Sequence, residues 1–272
     1  MKTAIYQYYD GPLTESIQAS VKNIKAYAER IGADHTFEHN PNWVMSELKM
    51  NLGSYTKHYG AFKPVYDSRW DEYDKILFLD ADIFTIKDLE ENIFDDFHAD
   101  FGICDEPFQP KQRTITTGRI TSQQDEKFSK FMKETYGVDI PRNEENLVKE
   151  YNSGVVLYSK KGRQVAQTQF DKFNDYVDKV KNYGLIDFYG SDQGFIRAMI
   201  SAKKVNVQEM DNNWNSYVHG TRDIHQPKRR IMDQRTKDTK FVHCQFPGSN
   251  ALDEETLLRI VNLPREQWGY DI

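Results

Sequence analysis

Short apolar runs alternate along the chain with longer stretches of helical period. Thr3 to Tyr9 (TAIYQYY) has strand character and stops at the turn signal Asp10-Gly11-Pro12. Ile17, Val21, Ile24 and Ala28 then recur at helical spacing, which predicts a helix over Thr14 to Ile31 with Thr14 as N-cap and Gly32 closing it. A strand at His35 to Glu38 completes a β-α-β opening. Ser46 to Tyr73 has a helical pattern, with Pro64 either kinking it or beginning a second helix. Lys75 to Leu79 is apolar on both faces, which belongs in the middle of a sheet covered by helices. Further strands are expected at Phe101 to Cys104, Gly154 to Tyr158, Lys204 to Val207 and Phe241 to His243. Helices are expected at Lys127 to Tyr136, Gly162 to Val180, Asp192 to Ala202 and Leu257 to Val261. Asp105 to Asp125 is polar and turn-rich, the pattern of a loop, and Pro141 to Glu150 is polar. The sum is an α/β chain with a mostly parallel central sheet flanked by helices, Rossmann-like in pattern.

Composition narrows the function. The chain has 272 residues, 38% of them hydrophobic and 29% charged, enough for one large α/β domain. A formal net charge of -6 argues against nucleic acid as the main partner. Cys104 and Cys244 match no zinc spacing, and a reduced, cytoplasmic setting is the expectation. No segment approaches the ~20 apolar residues that would span a bilayer. The 16 tyrosines are enough to cover ring-shaped ligands, although core packing accounts for most of them.

The sharpest chemical signal is the end of the apolar run, Leu79-Asp80-Ala81-Asp82. Open α/β sheets bind ligands at the carboxyl ends of their strands. Asp80 and Asp82 alternate along the chain, so both can face one cation, and oxygen ligands suit Mg²⁺ or Mn²⁺. The bland reading is a helix cap and a solvated carboxylate. Haloacid-dehalogenase-like phosphatases also end a buried strand in Asp-X-Asp, but they place a Thr where this chain has Phe84, and their motif lies near the N-terminus.

Four later segments extend the pattern: Tyr151-Asn152-Ser153-Gly154, Ser191-Asp192-Gln193, Asp211-Asn212-Asn213-Trp214-Asn215 and His243-Cys244-Gln245-Phe246-Pro247-Gly248. In order and approximate spacing the set resembles the retaining family 8 glycosyltransferases, the glycogenin and lipopolysaccharide galactosyltransferase group, over about Thr3 to Ser249. The resemblance implies a GT-A (nucleotide-diphospho-sugar transferase) fold as one domain over 1–272. Residues up to about 104 would form a nucleotide-binding half, about 105–250 the sugar and acceptor half, and 251–272 a C-terminal helix and tail. It implies Asp80, Asp82 and His243 as metal ligands, and Asn152, Asp192 and Gln193 around the donor sugar and reacting carbon. Tyr6, Tyr8, Tyr9 and Asp10 would lie near the base and ribose, with Ala81 and Gly248 also lining the donor. The family's Lys after the late His-Gly element is absent here, where Ser249 follows Gly248; Lys63 or the stretch Lys228 to Arg230 could replace its charge.

The expected activity is therefore metal-dependent hexosyl transfer, with retention, from a nucleotide-diphosphate sugar. UDP is favoured over GDP, and Mn²⁺ over Mg²⁺ because the ligand set mixes oxygen with one imidazole. The acceptor would be a glycan, glycoprotein or glycolipid hydroxyl. Asp105 to Asp125 and His219 to Lys240 are candidates for acceptor contact or a lid, where Arg113 and Arg119 could meet an acidic acceptor or simply be solvated. Two alternatives fit less well. A sugar nucleotidyltransferase needs a Gly-rich first loop, for which Asp10-Gly11-Pro12 is a poor substitute. A non-catalytic nucleotide-sugar or glycan-binding module would have no need to keep both carboxylates, His243 and the Asp-Gln pair.

Overall fold

The computed structural model describes residues 1–40, 53–115, 120–203, 205–221, 230–245, 252–264 and 267. In chain order the elements are β1 (Thr3–Tyr9), α1 (Glu15–Ile31), β2 (Asp34–His39), α2 (Lys63–Tyr66), β3 (Lys75–Leu79), β4 (Ile83–Thr85) and β5 (Phe101–Asp105). They continue with α3 (Gln109–Ile115), α4 (Ser122–Tyr136), β6 (Tyr151–Ser159), α5 (Lys160–Gln169), α6 (Phe173–Asn182), α7 (Asp192–Ala202) and β7 (Val207–Glu209). Strands β8 (Ser216–Thr221), β9 (Arg230–Asp233) and β10 (Phe241–Gln245) precede the last helix, α8 (Glu254–Asn262). The expected α/β architecture is what forms. The chain divides into two compact units: Met1–Pro41, Tyr73–Phe97 and Met210–Ile272 make the first, Asn42–Glu72 and His98–Glu209 the second.

In the first unit β1 pairs in parallel with both β2 and β3, Ile5 lying opposite His35 on one side and Leu77 on the other. Ile76 through Leu79 are buried, as a strand covered on both faces requires. Helix α1 buries Ile17, Ala19, Ser20, Ile24, Tyr27 and Ala28, and Gly32 ends it at φ 69°, a left-handed turn that glycine adopts without strain. Thr14 occupies the N-cap position, but its hydroxyl meets Ser16 Oγ at 3.1 Å instead of capping the backbone. A second sheet, in the order β4-β10-β8-β9, belongs wholly to this unit. Three of its four strands are absent from the sequence reading, because β4 has three residues and β8 and β9 carry no apolar run.

In the second unit β5 lies between β6, antiparallel, and β7, parallel. Its core is aromatic: Phe195 of α7 packs on Phe62 and Phe173 with ring centroids 5.1 and 4.8 Å away, and Tyr59 meets Phe173 at 4.5 Å. The tyrosine surplus is largely core material, with Tyr6, Tyr27, Tyr59, Tyr158, Tyr176, Tyr189 and Tyr217 all buried.

Several boundaries differ from expectation. The helix over 162–180 is two helices, because Phe170 turns extended (φ -70°, ψ 148°) and stacks its ring on Phe101 at 5.5 Å. Of the helical pattern over 46–73, residues 46–52 lie outside the described residues. The remainder is a 3-10 turn over Gly53–Phe62 followed by α2, with Pro64 in its first turn. The strand placed at 204–207 forms at Val207–Glu209 instead. The stretch 105–125 contains α3 and the start of α4 rather than a continuous loop. Arg113, expected to be solvated or to meet an acceptor, is buried and forms ion pairs with Asp125 at 2.9 Å and Glu150 at 2.5 Å. Arg119 lies outside the described residues.

Candidate active site

Strand β3 ends at Leu79, and the chain turns through Asp80-Ala81-Asp82 into β4. The turn is held by its backbone, with Ile83 N donating to the Asp80 carbonyl at 3.2 Å. Strand β4 then pairs antiparallel with β10, so that His243 lies opposite Ile83. Cys244 N donates to the Asp82 carbonyl at 2.9 Å. This ladder carries an imidazole from the end of the chain to two carboxylates near its beginning. His243 Nε2 is 3.1 Å from Asp82 Oδ1 and 3.9 Å from Asp80 Oδ2. One ligand atom from each residue lies within 4.8 Å of the others. The carboxylates are part-exposed (side chains 40% and 32%), whereas His243 is fully buried.

The surroundings fix which atoms face the gap. His243 Nδ1 donates to Asn215 Oδ1 at 3.0 Å, and the ring stacks on Tyr217 at 4.7 Å. That assigns the proton to Nδ1 and turns the Nε2 lone pair towards Asp80 and Asp82, the tautomer a metal-bound histidine needs. The Gln245 amide is 3.2 Å from the same Nε2. Beneath Asp80, burial first and Lys25 second push His35 down to about 4, leaving it neutral near pH 7. It donates from Nε2 to Gln7 Oε1 at 3.1 Å, and buried Gln7 donates to Ser20 Oγ and to the Asp80 carbonyl, each at 3.3 Å. Two carboxylate oxygens and one imine nitrogen, all acceptors, converge. This donor set fits a divalent cation of the Mn²⁺ or Mg²⁺ kind.

The other predicted residues gather in the second unit. Between Ile103 and Cys104 the β5–β6 register slips: Ile103 faces Val156, but Cys104 faces Asn152. Residues 153–155 bulge out of the ladder, and Asn152 Oδ1 secures the bulge by accepting from Gly154 N at 2.8 Å. Ser153, raised on the bulge, hydrogen-bonds the carboxylate of Asp192. Asp192 and Gln193 open α7, capped by Ser191. Burial raises the Asp192 carboxyl above its ordinary range, against the opposing pull of His58 and the Ser153 bond. Glu106, just past β5, is buried; its Oε1 accepts from Asn152 Nδ2 at 3.3 Å and its Oε2 from Gln193 Nε2 at 3.1 Å.

Gly194 follows directly. A Cβ there would collide with the Tyr189 carbonyl, so the glycine lets the start of α7 sit against the preceding turn. Gly194→Ala should destabilise the protein by about 1–3 kcal/mol. A lowered urea midpoint would register it, and an unchanged midpoint would contradict this packing.

No protein-family model matches the sequence, and no curated protein matches it either. Solved structures do. The chain is similar to a galactosyltransferase, LgtC, in complex with donor and acceptor sugar analogs: TM-score 0.51 and 13% identity, over 98% of this chain and 99% of that one. It is also similar to an active-site mutant of LgtC, at TM-score 0.50 and 14% identity over the same shares of the two chains. The chain has a GT-A fold. At such low identity the likeness is one of architecture, reached over nearly the full length of both chains.

Within the GT-A fold, the predicted donor residues meet different fates. Tyr6 is wholly buried and its hydroxyl donates to Glu38 at 3.0 Å, which makes it a core residue. Tyr8 stacks on Phe78 at 5.7 Å and stays half-buried, as does Tyr9, while Asp10 is exposed. Ala81 is buried within the turn it was read from. Lys63 is buried at the start of α2, where its charge helps Arg69 hold Asp67 low against burial. Gly248, Lys228 and Arg229 lie outside the described residues, and of Arg230 only the backbone is described. Gln7, Asn215 and Glu106 belong to these clusters without being legible as site residues in the sequence. Asn215 stands in the Asp211–Asn215 motif with no role of its own marked by the pattern. Gln7 and Glu106 carry no signal, since a lone amide or carboxylate at a strand end looks like a solvated one.

Proposed function

We propose that the chain is a metal-dependent glycosyltransferase that moves a hexose from a nucleotide-diphosphate sugar, UDP before GDP, to a hydroxyl of a glycan, glycoprotein or glycolipid, with retention. The observation that carries this reading is the Asp80–Asp82–His243 cluster, with its tautomer set by Asn215, at a strand end of a GT-A fold. Asp80, Asp82 and His243 would hold the cation, Mn²⁺ before Mg²⁺. Bound there, it would neutralise the charge developing on the leaving nucleoside diphosphate. Tyr8, Tyr9 and Asp10, near the end of β1, would serve the base and ribose. Asn152, Asp192 and Gln193 would serve the sugar. Asp192, lifted by burial and held by Ser153, suits a hydrogen-bonding role to sugar hydroxyls at least as well as it suits a free anion. The LgtC structure with donor and acceptor analogs supports sugar substrates by likeness of fold. Among the described residues no helix is long and apolar enough to cross a membrane.

Calorimetric titration with UDP-glucose, UDP-galactose and GDP-mannose, with Mn²⁺ and with chelator, tests the reading. One donor should bind in a metal-dependent way and be slowly hydrolysed without acceptor. Failure of every donor and of the free nucleotides, in a folded protein supplied with metal, would sink it. A second outcome is expected at Asn215. Asn215→Ala should weaken Mn²⁺ binding by about 10–100-fold while leaving all three ligands in place, because the imidazole loses the partner that fixes its proton.

A further inference from the structure

We propose that Glu106 is a positioning residue of the Asn152–Asp192–Gln193 cluster in the second unit: its carboxylate locks the side-chain amides of Asn152 and Gln193 so that Gln193 offers a ligand its carbonyl oxygen. The inference rests on the transferase reading only for its effect on rate. The lock itself stands on geometry. Glu106 is 4% exposed, and each of its two oxygens takes a hydrogen from a different amide, Asn152 at 3.3 Å and Gln193 at 3.1 Å. Asn152 is fixed at both ends, since its Oδ1 accepts from Gly154 N at 2.8 Å.

Gln193 is fixed by charge. Its amide also faces the carboxylate of Glu150, which is wholly buried. With its nitrogen towards two carboxylates, Gln193 gives up donors and keeps its oxygen. The flipped amide would set that oxygen against two anions, which burial makes costly. Gln193 would therefore meet a substrate as an acceptor, suited to a sugar or acceptor hydroxyl. Glu106 owes its place to the register slip between β5 and β6, which sets Cys104 opposite Asn152, and to its own N–H, which bonds the Glu150 carbonyl at 2.9 Å. A carboxylate in a fixed backbone setting thus orients two amides carried by a strand and a helix.

The test is Glu106→Gln, which keeps the shape but replaces one acceptor oxygen with a second donor group. Two readouts separate the lock from the reaction. In nitrogen-15 spectra of the native protein, the Asn152 and Gln193 carboxamide pairs, assigned from Asn152→Ala and Gln193→Ala spectra, should exchange slowly with solvent. In Glu106→Gln both pairs should shift and exchange faster. Donor hydrolysis should lose about 10²-fold in kcat, the scale of a small misplacement at a reacting centre, with donor KM within about twofold. Glu106→Asp, keeping the charge on a shorter arm, should fall between the two. If Glu106→Gln does not fold, the native exchange rates and Glu106→Asp decide. Unprotected amides in the native protein, or amides unmoved by substitution, overturn the proposal. So does a shifted amide pair with unchanged kcat. If the native protein turns over no donor, the transferase reading fails, and the amide signals alone judge the lock.

Discussion

Asp82→Ala is expected to abolish Mn²⁺ binding in the micromolar range and to lower donor turnover by about 10³-fold, or ~4 kcal/mol of transition-state stabilisation. The substitution removes a ligand oxygen 3.1 Å from His243 Nε2 and leaves Asp80 and the imidazole to hold the cation alone. The fold should survive. The Asp82 side chain is 32% exposed, and the bond that ties its turn to β10 uses the backbone carbonyl, which alanine keeps. The diagnostic result is a melting temperature that matches the native protein in chelator but no longer rises when Mn²⁺ is added. Unchanged Mn²⁺ affinity would remove Asp82 from the ligand set. A loss of turnover with metal binding intact would move it from metal ligand to substrate contact.

The largest effect on stability is expected at Glu150. Its carboxylate is fully buried and accepts from Arg113 at 2.5 Å and from Arg197 at 2.9 Å, while Arg113 also pairs with Asp125, which takes the Tyr189 hydroxyl at 2.9 Å. Arg197 lies over the Phe128 ring at 4.2 Å. Glu150→Ala leaves two buried guanidinium groups without their shared anion, and breaking such a pair costs about 3–5 kcal/mol. In a chain of this length that is a fall of roughly 10 °C in Tm. A change under about 1 kcal/mol would mean that water reaches the network.

The same residue sets part of the acid limit. Burial alone would lift Glu150, but Arg197 and Arg113 outweigh it and hold the carboxyl below its ordinary 4.5. A depressed folded value contributes stability that is present above 4.5 and lost as pH falls through the folded value. Asp125 has the opposite sign. Burial, only partly offset by Arg113, raises it above 3.8, so it takes up its proton in the folded state first. Urea midpoints between pH 6 and 3 should therefore fall less steeply in Glu150→Ala than in the native protein.

Much of this was legible in the sequence where burial is written into composition. Lys75 to Leu79 and Gly154 to Tyr158 are apolar on both faces, and both are sheet strands. Asp80 and Asp82 were visible because a carboxylate pair closing such a run is unusual. What escaped depends on pairing rather than on local pattern. Strand β4 has three residues and exists through its contacts with β10, so no periodicity announces it. Solvent is the default expectation for Arg113, and Glu150 and Arg197 carry no local signal, because charges are seldom fully buried; only the fold brings them together. Glu106 stayed hidden for the same reason: its meaning lies in two amides supplied by a strand and a helix.

The ladder between β4 and β10 also dictates a timetable. Asp80 and Asp82, the two proposed carboxylate ligands, leave the ribosome about 160 residues before His243 and the strand that seats it. Pairings of such long sequence separation form late and slowly. During synthesis the Asp80-Ala81-Asp82 turn must wait with no partner for Ile83 to Thr85, an edge open to wrong pairing. Under the proposed function, metal and donor would stabilise only a chain that has paired β4 with β10, and a chain stopped before Phe241 should keep both carboxylates and bind neither.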